Sequence, residues 1–300
     1  PPARILHPVV LPVKDDDMPL LSGAWQWLAS DPRHGQIATL ASLLIYGLGW
    51  LDFDLTPPQV AVTLGTALGV QRLADGWTGR PVLPGAKSAL ISALSLCLLL
   101  RTDSLWLAAV AAAIAVGSKF LIRIRDKHVF NPTNLALVVL LLTTDAAWVS
   151  PGQWGTGAFF AFLMACLGGL VIHRAARSDV TCAFLAFYGM VLFGRALWLS
   201  DPLEIPLHQI QNGAFLLFSF FMISDPKTTP ESRLGRILFA LTVALGAGFV
   251  QFVLFRPNGL IWSLALVSMT TPLWNRLFPG GRYDWSRPGA TPPLAERSFA

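Results

Sequence analysis

Three stretches of the chain gather residue types that could hold a polar or charged ligand. In KFLIRIRDKHVFNPTN (119–134), Lys119, Arg123, Arg125 and Lys127 precede His128 and then Asn131, Pro132, Thr133 and Asn134. Asn caps helix starts and Pro suits the first turn, so a helix is expected to open at Asn131. Such a start offers unpaired N–H groups and the positive end of the helix dipole. Beside Lys119 and Arg123 this is anion chemistry, suited to a phosphate. The same residues also suit a plainly capped helix next to topology-setting charges. In FFMISDPKTTPESRLGR (220–236), an apolar run ends at Ser224 and Asp225, and Pro226 and Pro230 bracket Lys227, Thr228 and Thr229. Asp-Pro marks a turn, and a carboxylate, an ammonium and hydroxyls at a helix break could grip a polar ligand. An ordinary loop is the alternative. In TTDAAWVSPGQWGTGAFF (143–160), Asp145 lies near Trp148, Trp154 and Thr156. This reads either as a ligand loop or as an aromatic belt with a Gly-rich turn.

Several other chemistries lack their residues. Cys97, Cys166 and Cys182 sit in apolar stretches with no CxxC or CxxCH, which argues against a disulfide framework, a zinc site, an iron–sulfur cluster or an attached haem. His173 and His208 lie near expected helix ends with no facing partner. A net charge of +5 comes without a basic helix or stacking platform, so no nucleic-acid partner is expected.

The elements that must position these stretches are apolar. The 300 residues are 54% hydrophobic and 13% charged, against about 25% charged in soluble domains. The runs predict an all-α, polytopic membrane protein of about ten transmembrane helices, at 36–53, 57–73, 86–100, 104–122, 131–149, 156–173, 180–199, 211–224, 234–255 and 258–276. Residues 1–35 are expected to be a cytoplasmic arm, with LLSGAWQWLA (20–29) lying along the interface, and 277–300 a cytoplasmic tail. No signal-peptide core is read in the arm. With these spans, all but three of the 22 Lys and Arg fall on one side, the exceptions being Arg101, Arg195 and Arg256. Positive charge stays inside, so both termini are expected in the cytoplasm of a bacterium, with the spans in its inner membrane. Arg195 is expected within bilayer depth on the outer side.

The halves 36–149 and 156–276 look alike. PGAKSALISALSLCLLL (84–100) leads through a hydrophobic helix to FNPTN, and QIQNGAFLLFSFFMIS (209–224) leads through another to FRPNG. Gly85 to Asn131 spans 46 positions and Gly213 to Asn258 spans 45. Five spans is an odd number, so the halves would be inverted relative to each other. Short apolar segments at matching positions place a site at the repeat interface.

The stretches, in that order, resemble the Rnf-D/Nqr-B family, membrane components of the Rnf complex and of the sodium-pumping NADH:quinone reductase (Nqr). Asn131, Pro132 and Thr133 stand where the family has Asn-Pro-Ala after a basic loop. FFMISDP (220–226) stands for its Phe-Phe-Met-Ala-Thr-Asp-Pro, and GQWGTGAFF (152–160) for its Gly/Ser-rich helix start. The likeness covers roughly residues 84–280. It implies two inverted five-helix repeats similar to urea-channel folds. It also implies flavin and one-electron transfer within a complex of other membrane and redox subunits, coupled to an ion gradient. Family members carry FMN on a threonine in Asp-x-x-Ser-Gly-Ala-Thr, expected here at 143–157, where Thr143, Thr144 and Thr156 lack that setting. DGWTGRP (75–81) is a look-alike in another loop. The expectation is therefore flavin (FMN or riboflavin) bound without a covalent link, or no flavin. Its site would draw on Lys119, Arg123, Asn131, Pro132, Thr133, Asn134, Thr156, Asp225, Pro226, Lys227, Thr228 and Thr229. Asp225 would accept from a ring N–H or pair with Lys227. The rival functions are a small-solute transporter or channel on the same fold, and a structural or assembly subunit that has lost the redox site.

Overall fold

In the computed structural model the residues described are 31–79, 82–124, 127–150, 154, 167, 177–281 and 283. The 20–29 segment, the C-terminal tail beyond 283, and the expected span 156–173 except Leu167 lie outside them, as do Cys166, His173 and Thr156.

Local signals set where the helices begin. Asp31 accepts from the Arg33 N–H at 2.9 Å and Pro32 fills the first turn, so α1 (Pro32–Trp50) opens within the stretch expected to be an arm. α2 (Pro57–Thr78) opens on a Thr56/Gln59 capping box and stops at Gly79, whose φ of 65° suits a residue without Cβ. α3 (Val82–Leu99) runs into β1 (Leu100–Thr102). α4 (Leu105–Leu121) starts on Ser104. A small hairpin follows, β2 (Arg123–Ile124) with β3 (Lys127–His128). α5 (Pro132–Thr143) is capped by Asn131 as expected, and then comes β4 (Ala147–Val149).

The second part holds α6 (Ser178–Leu199), α7 (Glu204–Gln211), α8 (Gly213–Leu217), a π-helical turn (Phe218–Met222), α9 (Arg233–Phe252), α10 (Gly259–Ser268) and α11 (Thr271–Leu277).

Among the described residues the regular structure is helical apart from two short ladders. β1 pairs antiparallel with β4, Leu100 opposite Val149. Thus the end of the expected span 131–149 is a strand, because Thr144 leaves the helix and the chain turns back to β1. Residues 200–210, expected as a loop, contain α7, whose Ile205 and Leu207 are exposed. The expected span 258–276 breaks between α10 and α11, where Pro272 cannot continue the preceding hydrogen-bond ladder. α6 and α9 are long and apolar enough to cross a membrane by length and composition, while α5, at 12 residues, and α10, at 10, are short. Many large side chains on the outer surface are apolar, with Trp77 90%, Trp198 84% and Phe255 81% exposed. Faces of this kind suit lipid rather than water.

α2 packs on α4 and α4 on α5; α6 packs on α9 and α9 on α10 in the same succession. The bundle has two ends. At one, Lys87 meets Asp31 at 3.0 Å, Lys119 meets Ser88, and Lys127 reaches Glu231 at 3.8 Å. At the other, Phe53 packs edge-on to Trp154 with centroids 4.8 Å apart, and Trp154 lies so close to Gly213 that a Cβ there would sit 2.5 Å from the indole. α5 starts from the first, basic end and α10 from the opposite end. Their first turns meet, with the Asn134 amide donating to Ile261 O at 3.1 Å. At the opposite end Arg195 pairs with Asp201 at 3.0 Å. Arg101 is the more deeply buried cation there; its guanidinium lies over Phe53 and donates to Cys97 O and Leu100 O.

Candidate functional site

α1, α3, α4, the start of α5 and the turn after the π helix converge at the basic end on a cavity of about 130 Å³. It is lined by Lys119, Asn131, Pro132, Thr133, Asp225, Pro226 and Lys227, together with Arg33, Gln36, His128 and a serine stripe, Ser88, Ser92 and Ser95. The fold thus brings seven of the sequence-derived residues to one place. Asn134, Thr228 and Thr229 are buried behind it, and Arg123 lies in β2 opposite His128. The serine stripe is absent from the sequence-derived set, although its i, i+4, i+7 spacing on an apolar helix is a legible signal of one polar face.

Several of these groups are already engaged within the protein. The Asn131 amide donates to Met222 O at 3.3 Å while its Oδ1 accepts from the Asn134 N–H at 3.1 Å. Asp225 Oδ1 accepts from the Lys227 N–H at 3.0 Å, and Asp225 O accepts from the Thr228 and Thr229 backbones. Asp225 therefore caps its own turn, and the Asn131 and Asn134 NH2 groups are both given to backbone carbonyls, while Asn134 Oδ1 is buried without a partner among the described residues. Lys119 donates to Ser88 O at 2.8 Å and Ser88 Oγ at 3.0 Å. Burial pushes the Asp225 carboxyl up, against the pull of the Lys227 N–H, Lys119, Lys227 and Lys127.

His128 stands in the wall between this cavity and a second one of about 380 Å³ that faces α11. Its Nδ1 is buried without a hydrogen-bond partner among the described residues. Burial, then repulsion from Lys119, Arg123 and Lys227, depresses its pKa to about 4 from 6.5, while a backbone hydrogen bond with Lys119 pulls the other way. Unfolded, the imidazole takes its proton near pH 6.5. Folded, it resists down to about pH 4. The neutral form's contribution is therefore complete above pH 6.5 and is lost as pH falls. Between pH 7 and pH 5 the chain is expected to lose about 2 kcal/mol of stability at this residue. Melting curves of the wild type and His128→Gln across that range test this. Equal pH slopes in the two proteins refute it.

A third cavity, also about 380 Å³, opens at the opposite end. Tyr188, Phe215 and Phe218 wall it, Gln209, Asn212, Gln251 and Asn258 supply amides, and Arg256 stands at its edge. The Tyr188 hydroxyl donates to Gln251 Oε1 at 2.6 Å, and the Tyr188 and Phe215 rings stack with centroids 5.7 Å apart. Met222 lines this cavity and the basic-end one alike. The helix start at 258–259 lines this cavity, while 131–133 line the basic-end one, because α10 enters from the opposite end.

Apart from Leu99, every residue lining this cavity falls between 149 and 261. Residues 144–283 match the NQR2, RnfD, RnfE family. Over 126 residues the chain is 29% identical to the D component of the ion-translocating oxidoreductase complex of Alcanivorax borkumensis, covering 40% of this chain and 36% of that protein. The same component of the Psychromonas ingrahamii complex is 30% identical over 40% of this chain and 33% of its own length. That of Escherichia coli O1:K1 is 25% identical over 43% and 32%. The chain thus spans about a third of the curated relatives it matches. The resemblance read from the sequence is upheld over the part holding FFMISDP and the aromatic cavity, while 119–134 lies outside the matched residues.

Proposed function

We propose that the chain is a membrane subunit of a flavin-dependent, ion-translocating electron-transport complex and holds its flavin, FMN or riboflavin, non-covalently in the opposite-end cavity. One observation carries this: the stretch that matches the family builds almost the whole of that cavity. Size favours the opposite-end cavity over the basic-end one, and its aromatic lining favours it over the equally large one facing α11. Ligand pockets generally occupy about 300–1,000 Å³, so the opposite-end cavity of about 380 Å³ can take an isoalloxazine and the basic-end one of about 130 Å³ cannot. A bound flavin would supply one-electron transfer. The protein's own part is to stack the ring on Tyr188 and Phe215, to meet its polar edge with Gln251 and Asn212, and to exclude water with Phe218. Arg256 offers charge for a phosphate. Val149, from the 143–157 stretch, lines the same cavity.

The ten-span reading belongs to this proposal. The like succession of α2, α4, α5 and α6, α9, α10, with α5 and α10 entering from opposite ends, supports two inverted repeats. The positive-inside bias supports a basic end in the cytoplasm of a bacterium, with both termini there and the bundle in its inner membrane. Other redox and membrane subunits would donate and accept the electrons. The solute-channel reading has less support, because the two cavities share only Met222 in their linings.

The test is an absorbance spectrum of the chain purified with its partners. A flavin spectrum is expected, with all flavin released on denaturation and no fluorescent band on a denaturing gel. Phe215→Ala is expected to lower occupancy at least tenfold at unchanged yield. A colourless wild-type preparation, or Phe215→Ala with full occupancy, overturns the assignment.

A further inference from the structure

The basic-end cavity, with its motif residues, is left unused by a flavin at the other end. Its lining carries Arg33, Lys119 and Lys227 against the single carboxylate Asp225. The adjoining Asp31 is itself held by Arg33 and Lys87 at 2.7 and 3.0 Å, so the surroundings stay positive. Lys119 is 5% exposed, and a buried ammonium needs a counter-charge. Two side chains point to a ligand independently of charge. Ser95 is 7% exposed, lines the cavity and makes no hydrogen bond among the described residues. His128 Nδ1 is likewise buried and unpartnered among them. At about 130 Å³ the cavity has room for roughly four water molecules at about 30 Å³ each, the scale of a tetrahedral oxyanion.

We infer that this cavity binds a phosphate-class oxyanion, held by Lys119, Lys227 and Ser95 at the start of α5. The α5 dipole adds to the attraction, although Asn131 already takes the Asn134 N–H and Pro132 has none to give. Asp225 lies in the same lining and would repel the anion, but its Oδ1 is turned to the Lys227 N–H. A free phosphate and the phosphate of an anionic lipid share this chemistry. The inference does not depend on where, or whether, flavin binds.

The experiment uses the full-length chain in detergent stripped of lipid. Inorganic phosphate is titrated by calorimetry in one arm. In the other, the chain is placed in nanodiscs of phosphatidylcholine with or without phosphatidic acid, and retained lipid is read by native mass spectrometry. Saturable binding of inorganic phosphate identifies the free anion. Retention of phosphatidic acid with no phosphate isotherm identifies the lipid. In either arm Lys119→Gln and Ser95→Val are expected to weaken binding at least tenfold. Ser95→Val guards against a folding failure of the lysine variant, because it only replaces a small buried side chain. No binding in either arm, or binding unchanged by Ser95→Val, overturns the inference.

Discussion

Asp179→Ala is expected to lower the melting temperature of the full chain by on the order of 10 °C, a loss of about 3–5 kcal/mol. The Arg236 Nε donates to both Asp179 oxygens at 2.9 Å, and its Nη2 makes a further contact to Oδ2. Both side chains are nearly enclosed, 11% and 14% exposed. Asp179 also sits in the first turn of α6, where a negative charge is favoured by the helix dipole. Removing it leaves Arg236 desolvated beside Arg177, whose guanidinium is already depressed to about 10, first by burial and then by Arg236. The cost is that of an orphaned buried charge. Replacing both partners, as in Asp179→Leu with Arg236→Met, is therefore expected to recover most of the loss. A double-mutant cycle measured by thermal melting checks this. Additive losses would show that the pair contributes no coupling.

Asn131→Ala is expected to destabilise the chain by about 2–4 kcal/mol, and Asn131→Ser by about half as much. Asn131 has two duties. Its Oδ1 caps α5, and its amide satisfies Met222 O, one of the carbonyls of the π-helical turn. Serine can keep the cap but cannot reach Met222. Alanine loses both and leaves Met222 O with only the 3.4 Å bond from the Asp225 N–H. Met222 is the shared wall of the two cavities, so flavin retention is expected to fall with Asn131→Ala even at temperatures where the protein stays folded. Melting curves and retained flavin measure the two effects separately. Equal melting temperatures for the serine and alanine variants would show that the Met222 bond contributes nothing.

Helix starts were legible because caps are local. Asn131 and Pro132 need only their own turn to open α5, and FFMISDP marks the end of the π-helical turn within a few residues. The positions of α2, α4, α6 and α9 follow from long, predominantly apolar runs, even though α2 buries Gln59, Thr63, Gln71 and Asp75. Composition and periodicity likewise settled that the chain is helical with apolar outer faces, and the motif order pointed to the family that residues 144–283 match.

What only the tertiary structure decided is which polar groups remain available. Sequence shows that Asn131, Asn134 and Asp225 can donate or accept. It does not show that Met222 O, Ile261 O and the Lys227 N–H take up part of that capacity across 91, 127 and 2 positions of chain. The serines of α3 become a lining only when α4 brings Lys119 and the π-helical turn brings Phe220 to face them. The β1–β4 ladder depends on strands 47 positions apart in register. Capping is settled by neighbours within one helical turn. Cavity size, and the direction from which α5 and α10 enter, are settled by packing between segments far apart in the chain, where no short motif carries the information.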